Sequence, residues 1–189
     1  MGYPETMRNV LEQVKREEIT RRSKELTDRP VADHVTGFYN ERYFYLRLDA
    51  EMARARRSDK CLSLIMMEAG CIGKDDNTAK NPDGHKQLKL TSKVITSCIR
   101  HEIDIPFRYG EDRLVIILPE VNKLQADNVA RSIYKRLEKE KIGNITIYAG
   151  VVECDYHELA EEFIKAASDA LSMNKKESRD ALCQAETFF

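Results

Sequence analysis

The chain has 189 residues, enough for one domain with a sizeable core plus an appendage and too few for two comfortable domains. Its 31 Lys and Arg nearly balance 32 Asp and Glu, so no net field recruits nucleic acid or an anionic membrane, and DNA is not expected as a partner. The five cysteines are scattered, odd in number and free of Cys-x-x-Cys spacing, which suggests neither a disulfide framework nor a zinc site and fits a reducing cytoplasm.

Residues 4 to 29 are dense in charge, and Met7, Val10, Leu11 and Val14 fall on one helical face before the stripe thins. So narrow a seam has two readings: pairing with a second helix, in a homodimer or with a protein partner, or a solvated extension packed on its own domain. No apolar run reaches the length of a membrane span, and the first residues lack the apolar core of a signal peptide.

Pro30 ends that segment, Thr36-Gly37 marks a turn, and Asn40 is placed to cap a helix described by Tyr43, Phe44, Leu46, Leu48 and Met52. Arg54, Arg56 and Arg57 read as its solvated end. Cys61 to Met67 is a continuous apolar run, the pattern of a strand buried on both faces, and Glu68 at its end is able to bind a hard cation through oxygen. Residues 73 to 87 read as a polar loop, and Leu88 to Arg100 as an amphipathic helix.

Phe107 to Pro119 reads as strand, tight polar turn and buried strand, with Gly110-Glu111-Asp112-Arg113 at the tip. A charged tip between buried strands is where a phosphate or metal site can be built, the alternative being an ordinary solvated hairpin. A helix from Leu124 to Leu137, stopped by Gly143, a β-rich run from Asn144 to Val152 and a last helix from His157 to Lys176 complete the order. Lys175, near the end of that helix, is favourable there through the macrodipole alone.

Three of these stretches resemble the GGDEF domain of diguanylate cyclases. Arg108-Tyr109-Gly110-Glu111-Asp112-Arg113-Leu114 is similar to its R-Y-G-G-D-E-F hairpin, with the five-residue signature altered to GEDRL. Asp33 to Arg42 resembles D-x-L-T-G-L-x-N-R-R, with Val35, Phe38 and Glu41 substituted, and Ala170 to Asp180 resembles A-L-Y-x-A-K-x-x-G-R-N. The resemblance implies an α+β fold, a ferredoxin-like βαββαβ palm over residues 33–180, after a helix or linker at 1–32 and before a tail at 181–189.

Active members make cyclic di-GMP from two GTP molecules on an antiparallel dimer, with two Mg²⁺ ions held by the first strand's aspartate and the fourth signature residue. Those positions are Glu68 and Arg113 here, and Gly70 stands where a second carboxylate would be. A guanidinium has no acceptor and a permanent positive charge, so no catalytic residue, metal or cofactor is expected; Glu68 is vestigial and is expected to pair with Arg113. Glu111 replaces a glycine that lets nucleotide approach the backbone, and Asp112 is expected to point away from the groove.

The resemblance also assigns Lys175 and Arg179 to phosphate and offers Asp76 or Asn77 as relics of base reading and Gly84-His85 as a relic of a G-H pair, while the fork of Arg113 suits phosphate oxygens on chemical grounds alone. The family's inhibitory R-x-x-D, which grips cyclic di-GMP, has Asp104 in place, but His101 stands for the arginine and Arg100 lies one position early. The reading is therefore a catalytically inactive regulatory or protein-interaction module of bacterial cyclic di-GMP signalling. The alternative is a receptor that binds GTP or cyclic di-GMP without turnover.

Overall fold

A computed structural model describes residues 31–71, 82–140, 145–155 and 159–186, with backbone alone for 69–71, 82–84, 145–146 and 178–186. The chain divides into two units between Val31 and Ala32, and the elements below belong to the second. The seam of Met7, Val10, Leu11 and Val14 lies outside the described residues, as do Asp76, Asn77 and Gly143.

The elements are α1 (Glu41–Ser58), β1 (Leu62–Cys71), α2 (Pro82–Cys98), β2 (Ile105–Tyr109), β3 (Arg113–Pro119), α3 (Lys123–Lys139), β4 (Ile145–Glu153) and α4 (Ala160–Glu186). The strands form one antiparallel sheet in the order β2-β3-β1-β4, with β1 between β3 and β4. From β1 to β4 this is the ferredoxin-like palm.

Strand alternation divides the core into two layers. Leu62, Leu64 and Met66 of β1, with Val115 and Ile117 of β3 and Phe107 of β2, pack against Phe44, Leu48 and Met52 of α1 and Phe163, Ala167 and Leu171 of α4. Ile65, Met67, Leu114, Ile116 and Leu118 face the other way, onto Leu88, Val94 and Ile95 of α2 and Ala126, Ile133 and Leu137 of α3. Each fully buried aliphatic or phenyl side chain contributes roughly 1.5–3 kcal/mol. That double cover is why β1 reads as an unbroken apolar run.

Asparagine caps start two of the helices, Asn40 as expected and Asn122 in addition. Asn40 Oδ1 accepts from Tyr43 N at 3.0 Å to start α1, and Asn122 with Gln125 closes a capping box on α3. Arg54, Arg56 and Arg57 are exposed, as read.

Several boundaries move. Helix α2 begins at Pro82 rather than Leu88, with proline at the first helical position, where its missing N–H costs nothing. Helix α4 begins at Ala160, after a Leu159 N–H···Glu162 Oε2 contact of 2.9 Å, and runs to Glu186. The segment read as a tail is helical as far as that residue. Helix α3 ends at Lys139 with Glu140 as its cap, ahead of the glycine expected to stop it.

Candidate functional site

Three apolar stripes on the α1/α4 side of the sheet run out at the same edge. Along β1 the row Leu62, Leu64, Met66 continues to Glu68; along β3 Ile117 and Val115 lead back to Arg113; along α4 Leu171 is followed one turn later by Lys175. Register places Glu68 directly opposite Arg113 on one side and Tyr148 of β4 on the other. Directly paired residues share a face, so these side chains meet.

Glu68 is 8 % exposed, and each of its oxygens has a cationic partner. Lys175 Nζ donates to Oε1, and Arg113 Nε lies 3.5 Å from Oε2. The Lys175 ammonium also stands 5.9 Å from the centre of the Tyr148 ring, within cation–π range. The Glu68–Arg113 pair expected from the sequence is present; the contributions of Lys175 and Tyr148 were not foreseen.

The hairpin tip above this cluster is held from behind. Asp33 Oδ1 accepts from Thr36 N and Thr36 Oγ1, each at 2.8 Å, and from Val35 N at 3.2 Å, while Gly37 turns the chain at φ +74°. The Arg108 guanidinium reaches Asp33 Oδ2 at 3.1 Å and donates to the Glu111 carbonyl at 2.9 Å. Burial alone would raise the Asp33 carboxyl, but the Thr36 and Arg108 bonds outweigh it and hold the group below its ordinary value.

Glu41, at a motif position where the resembling family has arginine, accepts from Gly110 N at 3.1 Å. Gly110 has φ +71°, a conformation that glycine adopts without strain. Beside it the Tyr45 and Tyr109 hydroxyls share a 3.0 Å hydrogen bond. Burial, and next this bond, push the Tyr45 phenol well above its ordinary value, so it stays a neutral hydroxyl. The Asp33-x-x-Thr36 spacing, typical of a side-chain-closed turn, was the available signal for the first clasp; nothing local signals Glu41.

Arg100, His101 and Asp104 take a different arrangement. Asp104, 5 % exposed, accepts from Arg100 N at 2.7 Å and from its guanidinium at 2.6 Å and 3.1 Å, and Arg100 Nη2 also donates to the Pro119 carbonyl at 2.7 Å. Arg100 thus grips Asp104 itself, with 44 % of its side chain still exposed. The His101 side chain is 87 % exposed and lies outside this pairing. A cavity of about 490 Å³ opens alongside, lined in part by Tyr39, Tyr43, Arg47, Thr96, Arg100 and His101.

Asp112 lies in the turn between β2 and β3, and Arg179 lies on α4 within the part described by backbone alone. A divalent cation does not fit the edge cluster: Glu68's two oxygens are engaged by cations, and Arg113 across from it offers no acceptor. Among the described residues no group of three or more His, Cys, Asp or Glu is arranged to hold a metal ion.

The family model for "Diguanylate cyclase, GGDEF domain" matches residues 31–181. The response regulator PleD of Caulobacter vibrioides is 26 % identical over 161 residues, covering 80 % of this chain and 35 % of PleD. The diguanylate cyclase DosC of Escherichia coli K12 is 25 % identical over 155 residues, covering 78 % of this chain and 34 % of DosC. The chain thus spans about a third of the length of these relatives. Among solved structures, diguanylate cyclase SiaD of Pseudomonas aeruginosa in complex with its activator SiaC superposes with a TM-score of 0.70 at 22 % identity, over 91 % of this chain and 69 % of that one. The GGDEF domain of DgcB from Caulobacter crescentus, in complex with c-di-GMP, gives 0.69 at 19 % identity, over 78 % and 89 %.

Proposed function

We propose, from the premise that this chain belongs to the GGDEF domain family of diguanylate cyclases, that it is a non-catalytic member serving as a regulatory or protein-interaction module in bacterial cyclic di-GMP signalling. One observation carries the reading: the Glu68 carboxylate is held by Lys175 and Arg113, and Arg113 stands where a metal-ligating glutamate would be needed. Mg²⁺ demands near-octahedral oxygen ligation, and a guanidinium both lacks a lone pair to give and repels the ion. Glu111 adds a side chain and a negative charge to the hairpin at a position where the family signature has glycine.

The altered residues leave a fold whose surfaces remain useful. The SiaD structure with its activator SiaC supports protein docking as a role for this fold, and residues 4 to 29 offer the seam for a homodimer or a partner helix. A cytoplasmic setting is part of the same proposal. No helix of the described residues is long and apolar enough to cross a membrane.

The test is turnover of GTP by the full chain with Mg²⁺ or Mn²⁺. No cyclic di-GMP is expected from the native protein or from Arg113→Glu, because Gly70 and Glu111 also differ from the active pattern. Metal-dependent product from the native protein would overturn the reading.

A second reading, a receptor that binds GTP or cyclic di-GMP without turnover, is favoured by a separate observation. Arg113 and Lys175 share a single carboxylate between two positive charges, and both remain about a third exposed. A nucleotide binding only the folded state would raise the melting temperature.

A further inference from the structure

The two edges of the sheet are finished differently. Beyond β2, Tyr39 lies alongside Phe107: its N–H donates to the Pro106 carbonyl at 3.1 Å, and its carbonyl accepts from Arg108 N at 2.7 Å. Beyond β4, none of the described residues bonds to the strand. One contact fixes which way each peptide of β4 points. Cys154 N donates to the Leu62 carbonyl at 2.8 Å, and the register from Ser63↔Glu153 to Cys71↔Ile145 runs without a bulge. Antiparallel alternation then turns the backbone groups of Thr146, Tyr148, Gly150 and Val152 toward β1 and those of Ile147, Ala149, Val151 and Glu153 outward. Ala149 and Val151 are half-exposed, so the middle of this edge is open to solvent. Exposed edges are commonly blunted by lysine, proline or a bulge. Residues 145–152, Ile-Thr-Ile-Tyr-Ala-Gly-Val-Val, carry none of these and no charge.

We propose that the outer edge of β4 pairs with β4 of a second copy of this chain, antiparallel about a two-fold axis at Ala149, so that the two sheets become one. The strand itself selects this partner and register. It runs over nine residues, Ile145–Glu153, with Ala149 at its centre, so only the register that sets Ala149 opposite Ala149 overlaps it end to end. In that register Ile147 faces Val151 of the second copy, twice over, as β-branched neighbours on one face, and the small Ala149 sits at the crossing. Glu153, the strand's one charge, falls opposite Ile145 of the second copy, so no like charges meet. A contact built on one strand pair is smaller than the roughly 1,200–2,000 Å² of a stable complex, so the association is weak, with a Kd on the order of 10 µM. The proposal goes beyond the reading above: it needs no nucleotide and is separate from the seam at residues 4 to 29.

Amide hydrogen exchange of the full chain, read residue by residue at roughly 5 µM and roughly 500 µM protein, tests this. With a Kd on the order of 10 µM and exchange at the edge confined to free monomer, the Ala149 and Val151 amides are expected to slow about sixfold at the higher concentration. Those of Tyr148 and Val152, bonded to β1, are expected to be slow at both. Ala149 and Val151 amides equally fast at both concentrations overturn self-pairing and leave the edge to a strand of another protein. Amides slow at both show the edge closed within the chain, and overturn it as well. Ala149→Pro removes an outward N–H and spares the β1 ladder, a position where an edge strand accepts proline. In that variant the Val151 amide is expected to exchange at one rate at both concentrations; slowing that persists places the contact elsewhere and overturns the proposal. If Ala149→Pro does not fold, the native exchange rates decide.

Discussion

Two carboxylates bound by arginine sit at opposite ends of β3, and they behave differently. At the Pro119 end, Asp104 and Arg100 are four residues apart and satisfy each other almost completely, with the Pro119 carbonyl taking a remaining guanidinium donor. At the Arg113 end, Glu68 draws its partners from two other elements, and Lys175 lies 107 residues away in sequence. The first cluster pairs one cation with one carboxylate four residues away. The second sets two cations from separate elements on one nearly buried carboxylate. A position that resembles a ligand-binding motif can thus be altered by a local pairing, as at Arg100, or by exchanging an anion for a cation, as at Arg113.

The largest test of this contrast is Asp104→Ala. It strands a guanidinium and a backbone N–H that share one nearly buried carboxylate, and is expected to cost about 3 kcal/mol in urea unfolding, near the lower bound for a broken buried pair because Arg100 is partly exposed. Glu68→Ala is expected to cost less, about 1–2 kcal/mol, since it strands two partly exposed side-chain cations but no backbone N–H. If Glu68→Ala proves the more damaging of the two, the contrast between the local pair and the cluster drawn from three elements fails.

The Asp33 clasp supplies an intermediate case. Its folded-state pKa is depressed, so its stabilisation is present above the ordinary value of 3.8 and is lost as pH falls through the lower folded value. Thr36→Val removes a hydroxyl donor to that carboxylate and is expected to cost about 1 kcal/mol near neutral pH. The deficit should shrink at acid pH as Asp33 protonates; a deficit constant from pH 7 to pH 2 would contradict the assignment.

The smallest expected effect is that of His101→Arg, which restores the family's arginine. Because Asp104 is already taken by Arg100, stability should change by less than about 0.5 kcal/mol and cyclic di-GMP affinity should not rise. A gain in affinity from this change alone would show that the Arg100–Asp104 pair opens readily.

Much of the palm was legible in the chain because its strands are short apolar runs punctuated by polar turns, and the Glu68–Arg113 pairing followed from matching two motif positions. Other features depended on information that is not local. Pro82-Asp83-Gly84 reads as a loop by composition, and only the helix that follows shows proline serving as an N-terminal residue. The extension of α4 to Glu186 was missed because polar residues crowd the stretch after Met173. Arg100 was judged by its offset from a ligand-binding pattern, although its spacing of four from Asp104 already suited a self-contained pair. Tyr148 has no motif at all; only the β1–β4 register brings it beside Glu68 and Lys175.

Gly150 lies on the same face of β4 as Tyr148 and Val152, and a methyl group on it would collide with the backbone of Ala167 and Leu171. Helix α4 therefore rests in a notch, with larger side chains before and behind it. The absent side chain thus sets how closely α4 lies over the sheet, and with it the height of Lys175 one turn beyond Leu171. Gly150→Ala, by filling the notch, should lift the helix and part Lys175 from Glu68 without altering a charge; a crystal structure of that variant with α4 unmoved would refute this.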